Sequence, residues 1–120
     1  MDALIKAMDV EAQRIDRRGP AAVTAGAAVL KDALSAAAPR RTGGLAASIK
    51  AKPAKHDSIN GHYSDVYPDG KDEHGERYAT IGSVLEYGRS NMPARPWIRP
   101  TVDAAGDKVS AAMAAELYKD

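Results

Sequence analysis

The most informative stretch of the sequence is LEYGRSNMPARPWIRPTVD, residues 85–103. Gly88 allows the chain to turn, and Pro93, Pro96 and Pro100 stiffen the backbone that follows. Pro100 falls in the first turn of a predicted C-terminal helix, where a backbone N–H would have no hydrogen-bond acceptor within the helix, so proline costs nothing there. The segment is therefore predicted to be a rigid elbow that presents an aromatic anchor and starts a helix.

Two roles are open for Trp97, the only tryptophan of the chain. It is either the one large aromatic residue of a small core or an anchor in a contact with another subunit, where Trp and Arg are enriched. Glu86 lies close enough in sequence to Arg95 and Arg99 to pair with one of them if the elbow folds back.

Apolar residues recur at helical spacing near both ends of the chain. They predict one helix over residues 2–17, which the Gly-Pro pair at 19–20 should end. A second helix is predicted from that proline to just before Pro39. A third is predicted over residues 97–118.

The middle of the chain holds the residues that favour strands. We expect a brief turn leading into a strand near 48–54, and further strands within 58–68 and 76–86, with an extended loop within 55–77. The expected fold class is α+β: N-terminal helices, a small antiparallel β-sheet of about three strands, and a C-terminal helix packed on the sheet.

The composition predicts a small core. The chain has 120 residues, of which Leu, Ile and Val make up 19 and alanine 24, and phenylalanine is absent. This length fits a single domain over residues 1–120. The net charge of only +1 argues against disorder. Alanine-rich helices bury little area each, so we expect a domain that is marginal alone and gains stability from its neighbours.

The residue chemistry argues against an enzyme, a metal site and a cofactor. The chain has no cysteine, which excludes disulfides and thiolate chemistry. His56, His62 and His74 match no zinc spacing and are expected to be solvated loop residues. Neither a phosphate-binding glycine motif nor a GxSxG elbow occurs. The pair Asp72 and Glu73 falls in a predicted loop, where no fixed neighbour would tune a pKa.

One coherent basic stretch, without an acidic residue, consists of Arg40, Arg41, Lys50, Lys52 and Lys55. It could contact DNA phosphates or an acidic face of a partner ring. The favoured interpretation is a solvated strand edge, where lysine discourages edge-to-edge pairing. A pI near 8.0 is by itself too mild to imply nucleic-acid binding.

Residues 85–100, LEYGRSNMPARPWIRP, resemble the signature of the tail-completion (minor tail or neck) protein family of lambda-like, long-tailed bacteriophages. That signature has a Glu-aromatic-Gly turn, a Pro-Ala-Arg-Pro-aromatic run and an Arg-Pro pair that opens the last helix. Residues 38–49, APRRTGGLAASI, are similar to a second part of it. The resemblance covers roughly residues 20–118. Arg89 departs from it, because a threonine or another small residue is expected after the glycine.

The resemblance implies a structural virion protein of the phage neck. Such proteins form a ring, expected here to be a hexamer, that joins the tail tube to the head connector. The implied partners are copies of the chain and the neighbouring neck, connector and tail-tube proteins, with non-specific contact to DNA in the lumen. No apolar run approaches the ~20 residues that cross a bilayer and no signal-peptide-like region follows Met1, so we expect assembly in the host cytoplasm and no membrane contact.

By the same resemblance, several residues would be structural or interface positions, and none would be catalytic. They are Thr42, Gly43, Leu45, Glu86, Tyr87, Gly88, Pro93, Arg95, Pro96, Trp97, Arg99 and Pro100. Two alternatives stay open: a tail terminator protein that caps the tail tube, and a small nucleic-acid-binding protein that uses the basic stretch.

Overall fold

A computed structural model describes residues 2–39 and 43–119. Helix α1 (Asp2–Ala37) and helix α2 (Gly44–Ser48) are followed by strands β1 (Ile49–Ala51), β2 (Lys55–Asp57), β3 (Gly61–Tyr63) and β4 (Val66–Pro68), and then by helices α3 (Tyr78–Tyr87) and α4 (Ile98–Leu117). The predicted α+β class is confirmed.

The N-terminal region is one continuous helix, so the prediction that Gly19 and Pro20 separate two helices is wrong. Pro20 removes one donor, which leaves the carbonyl of Asp16 without its helical partner. Asp16 and Pro20 lie on the exposed side of α1, where water can supply the missing hydrogen bond. Gly19 is buried directly under the His62 ring, and Gly26 under Met113, so α1 packs on other elements on either side of the proline.

Residues 49–68 form one bent antiparallel ribbon of two strand pairs rather than part of a three-stranded sheet. Strand β1 pairs with β4, and β2 pairs with β3. Where the ribbon bends, the N–H of Lys52 donates to the carbonyl of Asp65 at 2.8 Å. The Asp57 carboxylate closes the far turn by accepting hydrogen bonds from the backbone N–H and the side chain of Asn60.

The predicted extended loop within 55–77 is shorter than expected, because the ribbon occupies it up to residue 68. Residues 69–77 form a turn around Asp72. Its Oδ1 accepts hydrogen bonds from the N–H groups of His74 and Glu76, both at 2.9 Å. A short side chain that bonds the backbone just ahead of it is typical of such turns.

Residues 78–87 form helix α3, where the sequence predicted a strand over 76–86. Tyr78, Ile81 and Leu85 recur at spacings of three and four residues and pack against the core. The β-branched and aromatic residues of this segment favoured a strand. Packing of this helical face on the core overrides that preference.

The core lies at the C-terminal end of α1, where α1, α2, β1 and the elbow meet. Its buried members are Leu34, Ala38, Leu45, Ala46, Ile49 and Trp97. Among the described residues, Leu34, Leu45, Ile49 and Trp97 are the only buried apolar side chains larger than alanine. The core is therefore as small as the composition predicts.

Helix α4 packs along α1 in the opposite direction, not on the strands as predicted. Gly26 of α1 lies under Met113, whose Cγ would be 2.6 Å from a Cβ added at that glycine. Nearer the start of α1, Arg18 forms an ion pair with Glu116 at 2.8 Å, and its Nε donates to the Glu116 carbonyl at 2.9 Å. Small residues thus allow close approach of the two helices, and Arg18 holds the C-terminal turn of α4.

The molecule is elongated, because α1 extends beyond α4. It measures 62 × 25 × 23 Å, and its radius of gyration of 17.9 Å exceeds the about 13.6 Å of a compact domain of this length. Its accessible surface of 8291 Å² compares with about 6,200 Å² for a compact monomer of this mass. The chain therefore exposes about a third more surface than a compact monomer would.

Candidate functional site

The connection between α3 and α4 within the elbow, residues 88–97, begins at a position that only glycine fits. Gly88 has a φ of 78°, in the left-handed region, and ends α3. A Cβ added there would come within 2.7 Å of the Ala94 backbone nitrogen. Beyond the turn, the N–H of Arg95 donates to the carbonyl of Leu85 at 2.7 Å. The elbow is thus fastened back against α3 by its backbone.

Glu86, in the last turn of α3, caps the start of α4. Its Oε2 accepts hydrogen bonds from the N–H groups of Trp97 at 2.7 Å and Ile98 at 2.8 Å, and its Oε1 accepts one from the N–H of Arg99 at 3.1 Å. N–H groups at a helix start have no partner within the helix, and negative charge is favoured there. The sequence suggested an ion pair with an arginine side chain; the bonds are to the backbone instead.

The environment of Glu86 keeps its carboxylate ionised. Burial, at 8 % exposure, acts to raise the pKa. The three backbone hydrogen bonds, together with the positive charge of Arg99, outweigh burial and lower the pKa below its ordinary value of 4.5. A buried negative charge therefore connects α3 to α4.

Of the two roles open for Trp97, the structure supports the first: it is the large aromatic residue of the core. It is 5 % exposed, and its Nε1–H donates to the carbonyl of Gly82 at 3.1 Å. Its ring lies so close to Gly82 that an added Cβ would be 3.1 Å from Cζ2. Its own carbonyl accepts a hydrogen bond from the Thr101 hydroxyl at 2.6 Å. The indole therefore faces the interior of its own chain.

The positions taken from the resemblance divide into an inward and an outward set. Leu45, Glu86 and Trp97 are buried, and Gly43 and Gly88 are half-buried. The exposed set is Tyr87, Pro93, Arg95, Pro96, Arg99 and Pro100, and we call it the outer elbow surface. Thr42 lies outside the described residues. The inward set builds the fold, and the outer elbow surface is open to solvent.

The basic stretch does not form one exposed patch in the part of the chain that the structure describes. Arg40 and Arg41 lie outside it. Lys50 and Lys55 are exposed on the ribbon, whereas Lys52 is half-buried.

Lys52 is engaged within the chain. Its Nζ lies 2.6 Å from Oδ2 of Asp69 and 5.1 Å from the centre of the Tyr67 ring. The hydrogen bond between the two side chains raises the pKa of Lys52 and lowers the pKa of Asp69.

The first turns of α1 carry an apolar face that residues 2–39 and 43–119 leave uncovered. Leu4, Ile5, Met8 and Ile15 are 49–64 % exposed and, with Ala12, lie on one side of the helix. We call these five residues the apolar stripe. Sequence periodicity identified the apolar side of this helix but could not show that it is left in solvent.

The three histidines lie apart from any cluster of metal ligands. The rings of His56 and His62 are 4.5 Å apart on the ribbon, and His74 is exposed in the turn that follows. Across residues 2–39 and 43–119, no three His, Cys, Asp or Glu side chains converge in a way that could hold a metal ion. In the same two ranges no helix combines the length and apolar character needed to span a bilayer.

A comparison with known protein families identifies the chain. Residues 2–89 match the family described as "Bacteriophage HK97-gp10, putative tail-component". The match includes α1, the ribbon and α3, and it stops before the Pro-Ala-Arg-Pro-Trp run and α4. No curated protein and no solved structure matches the chain. The chain therefore belongs to the HK97-gp10-like family of bacteriophage tail components, structural proteins of the virion that contact other tail proteins.

Proposed function

We propose that this tail component is a non-enzymatic subunit of the phage neck, where six copies form a ring that joins the tail tube to the head connector. The observation that supports this proposal is the uncovered surface. The chain exposes 8291 Å², about a third more than a compact monomer of its mass. Part of this surface is the apolar stripe, and apolar patches of this kind mark interaction sites.

A joining ring needs contacts between copies and contacts with the components on either side of it. The apolar stripe lies at the free end of α1, and the elbow packs on the core at the other end of that helix. The two surfaces are therefore well separated along the 62 Å length of the molecule. We assign the stripe to contacts between copies and the outer elbow surface to the adjacent connector or tail-tube protein.

Deletion of the gene in a phage that carries it tests this function. We expect DNA-filled heads and separate tails in electron micrographs, and joined particles when the wild-type gene is supplied. Arg99→Ala should also reduce the joined fraction, because it removes an exposed guanidinium and leaves the backbone N–H in the cap intact. Arg17→Ala, which removes an exposed arginine of α1, is the matched control and should join heads and tails normally.

Each other outcome of the deletion has a definite meaning. Normal tailed, infectious particles without this protein would refute the neck assignment. Tails of unregulated length would indicate the tail terminator instead.

A further inference from the structure

The apolar stripe continues the face of α1 that packs against α4. At about 100° per residue, Met8 and Ile15 fall on the same side of α1 as Gly26. Gly26 is buried under Met113 of α4, whereas α4 ends at Leu117 and leaves the stripe bare. The stripe is therefore one half of a helix-packing surface whose other half is not supplied by the described part of the same chain.

Aspartates border one edge of the stripe. Asp2, Asp9 and Asp16 recur every seven residues along it, whereas Glu11 on the other edge pairs with Arg14 at 3.9 Å. Two such helices packed antiparallel through their stripes would place the aspartate edges opposite each other. The charge pattern therefore fits a basic surface better than it fits a second stripe.

A groove with complementary chemistry runs between α1 and β1. Small residues, among them Ala28 and Ala51, line it together with Lys31, Lys50 and Lys52. Small side chains allow a helix to approach to the usual 8–10 Å between axes. The stems of Lys31 and Lys50 can pack beside apolar side chains while their ammonium groups reach carboxylates, whereas the Lys52 ammonium is held by Asp69.

The stripe of a chain cannot fill the groove of that chain. Met8 and Ala28 lie on one continuous helix, about 30 Å apart along its axis at 1.5 Å per residue. A contact between stripe and groove can therefore form only between two copies. Each copy then uses two different surfaces, which is the head-to-tail arrangement that closes into a ring.

We propose that the first four turns of α1 from one copy dock, stripe inward, in the groove between α1 and β1 of the next copy. This inference rests on the proposed ring and names the surfaces that build it. The stripe exposes on the order of 400 Å² of apolar side-chain surface. With a matching area from the groove, the contact stays below the about 1,200 Å² of a standard stable interface. A single pair of copies therefore separates readily, and closure of the ring stabilises the assembly.

Engineered cysteines test this contact, since the chain has none of its own. Met8→Cys and Ala28→Cys are combined in one chain and treated with a short thiol cross-linker, at high protein concentration and in assembled particles. We expect a ladder of covalent oligomers that ends at the size of the ring. The matched control replaces Met8→Cys with Val10→Cys, because Val10 is 53 % exposed but lies on the opposite side of α1. The control should cross-link several-fold less.

Charge reversal tests the same contact independently. Lys50→Glu should reduce cross-linking of the Met8 and Ala28 cysteines several-fold, and Asp9→Lys with Asp16→Lys in the same chain should restore it. Restoration distinguishes a contact between charged surfaces from a loss of folding, because the rescuing changes lie on a different part of the chain.

Equal cross-linking of the Met8 and Val10 pairs would overturn the proposal. Cross-linking of Met8→Cys alone would show that two stripes pair, which also contradicts it. A salt-sensitive shift of random duplex DNA that Lys50→Glu abolishes, without an effect on cross-linking, would assign the groove to DNA. If these tests fail and deletion of the gene still leaves heads and tails unjoined, the neck function stands and only the docking surface is wrong.

Discussion

Removal of the Glu86 carboxylate tests how the elbow is held, because this one side chain connects α3 to the start of α4. In Glu86→Ala, the N–H groups of Trp97, Ile98 and Arg99 lose their acceptor. Trp97 is buried, so water reaches its N–H poorly, whereas Arg99 is exposed and its N–H can bond water. The variant therefore combines an unpaired buried donor with the loss of a helix cap.

The size of the effect follows from these three bonds. A buried donor left unpaired costs about 1–3 kcal/mol, and a lost cap costs roughly 0.5–2 kcal/mol. Because water replaces the carboxylate at Arg99, we expect Glu86→Ala to lower the free energy of unfolding by about 3 kcal/mol. Glu86→Gln keeps the shape and one acceptor oxygen, so its cost should be about 1 kcal/mol. At roughly 4 °C per kcal/mol, Glu86→Ala should lower Tm by about 12 °C.

The same bonds predict a pH dependence. The pKa of Glu86 is lowered in the folded chain, so the carboxylate stabilises the fold fully above its ordinary pKa of 4.5. This stabilisation is lost as the pH falls below 4.5 through the pKa of the folded state. Glutamine does not titrate. The difference in stability between the wild type and Glu86→Gln should therefore be constant near neutral pH and shrink below 4.5.

Urea unfolding followed by the fluorescence of the single tryptophan measures these changes at a series of pH values. Glu73→Gln is the matched control, because its side chain is 80 % exposed, and its effect should stay within about 0.5 kcal/mol. A cost of Glu86→Ala below about 1 kcal/mol would refute the capping role, given the bonds it removes. A difference between Glu86→Gln and the wild type that does not change with pH would refute it as well.

The remaining predictions concern the elbow and the contact between α1 and α4. Gly88→Ala should lower the free energy of unfolding by about 2–3 kcal/mol, because it forces a Cβ against the elbow backbone. Gly106→Ala, at an open helical position, should raise the free energy of unfolding by about 0.5–1 kcal/mol. Equal effects of the two variants in urea unfolding would contradict this. Trp97→Phe should cost about 2 kcal/mol through the lost indole hydrogen bond and the space it leaves, and an unchanged Tm would argue against the buried position. Arg18→Ala should lower the free energy of unfolding by only about 1 kcal/mol, since both side chains of the ion pair are partly exposed. It should also speed amide exchange near Glu116. Unchanged exchange there would show that the ion pair does not hold α4.

Local sequence patterns predicted the parts of the fold that depend on local spacing. The helix predicted over 97–118 is α4 (Ile98–Leu117), because its apolar spacing is helical and Pro100 suits a helix start. The strand near 48–54 and the strands within 58–68 correspond to β1, β3 and β4 of the ribbon, whereas β2 (Lys55–Asp57) falls in the segment predicted as a loop.

The features that the sequence could not show depend on contacts between distant residues. Proline is a strong helix breaker by local rules, whereas α1 continues through Pro20 with contacts to other elements on either side of it, at Gly19 and Gly26. The partners of Glu86 are backbone N–H groups, which every residue type except proline has, so no side-chain pattern identifies them. A helical period likewise identifies an apolar face but does not show what covers it.

In the proposed ring, the α1 stripe that each chain leaves exposed is covered by another copy. A reconstruction of the neck of the assembled phage particle, without imposed symmetry, tests this claim. We predict a closed ring of this chain in which the first four turns of α1 lie in the groove beside Ala28 of the neighbouring copy. Copies with the stripe in solvent, or copies that do not contact one another, would contradict the claim.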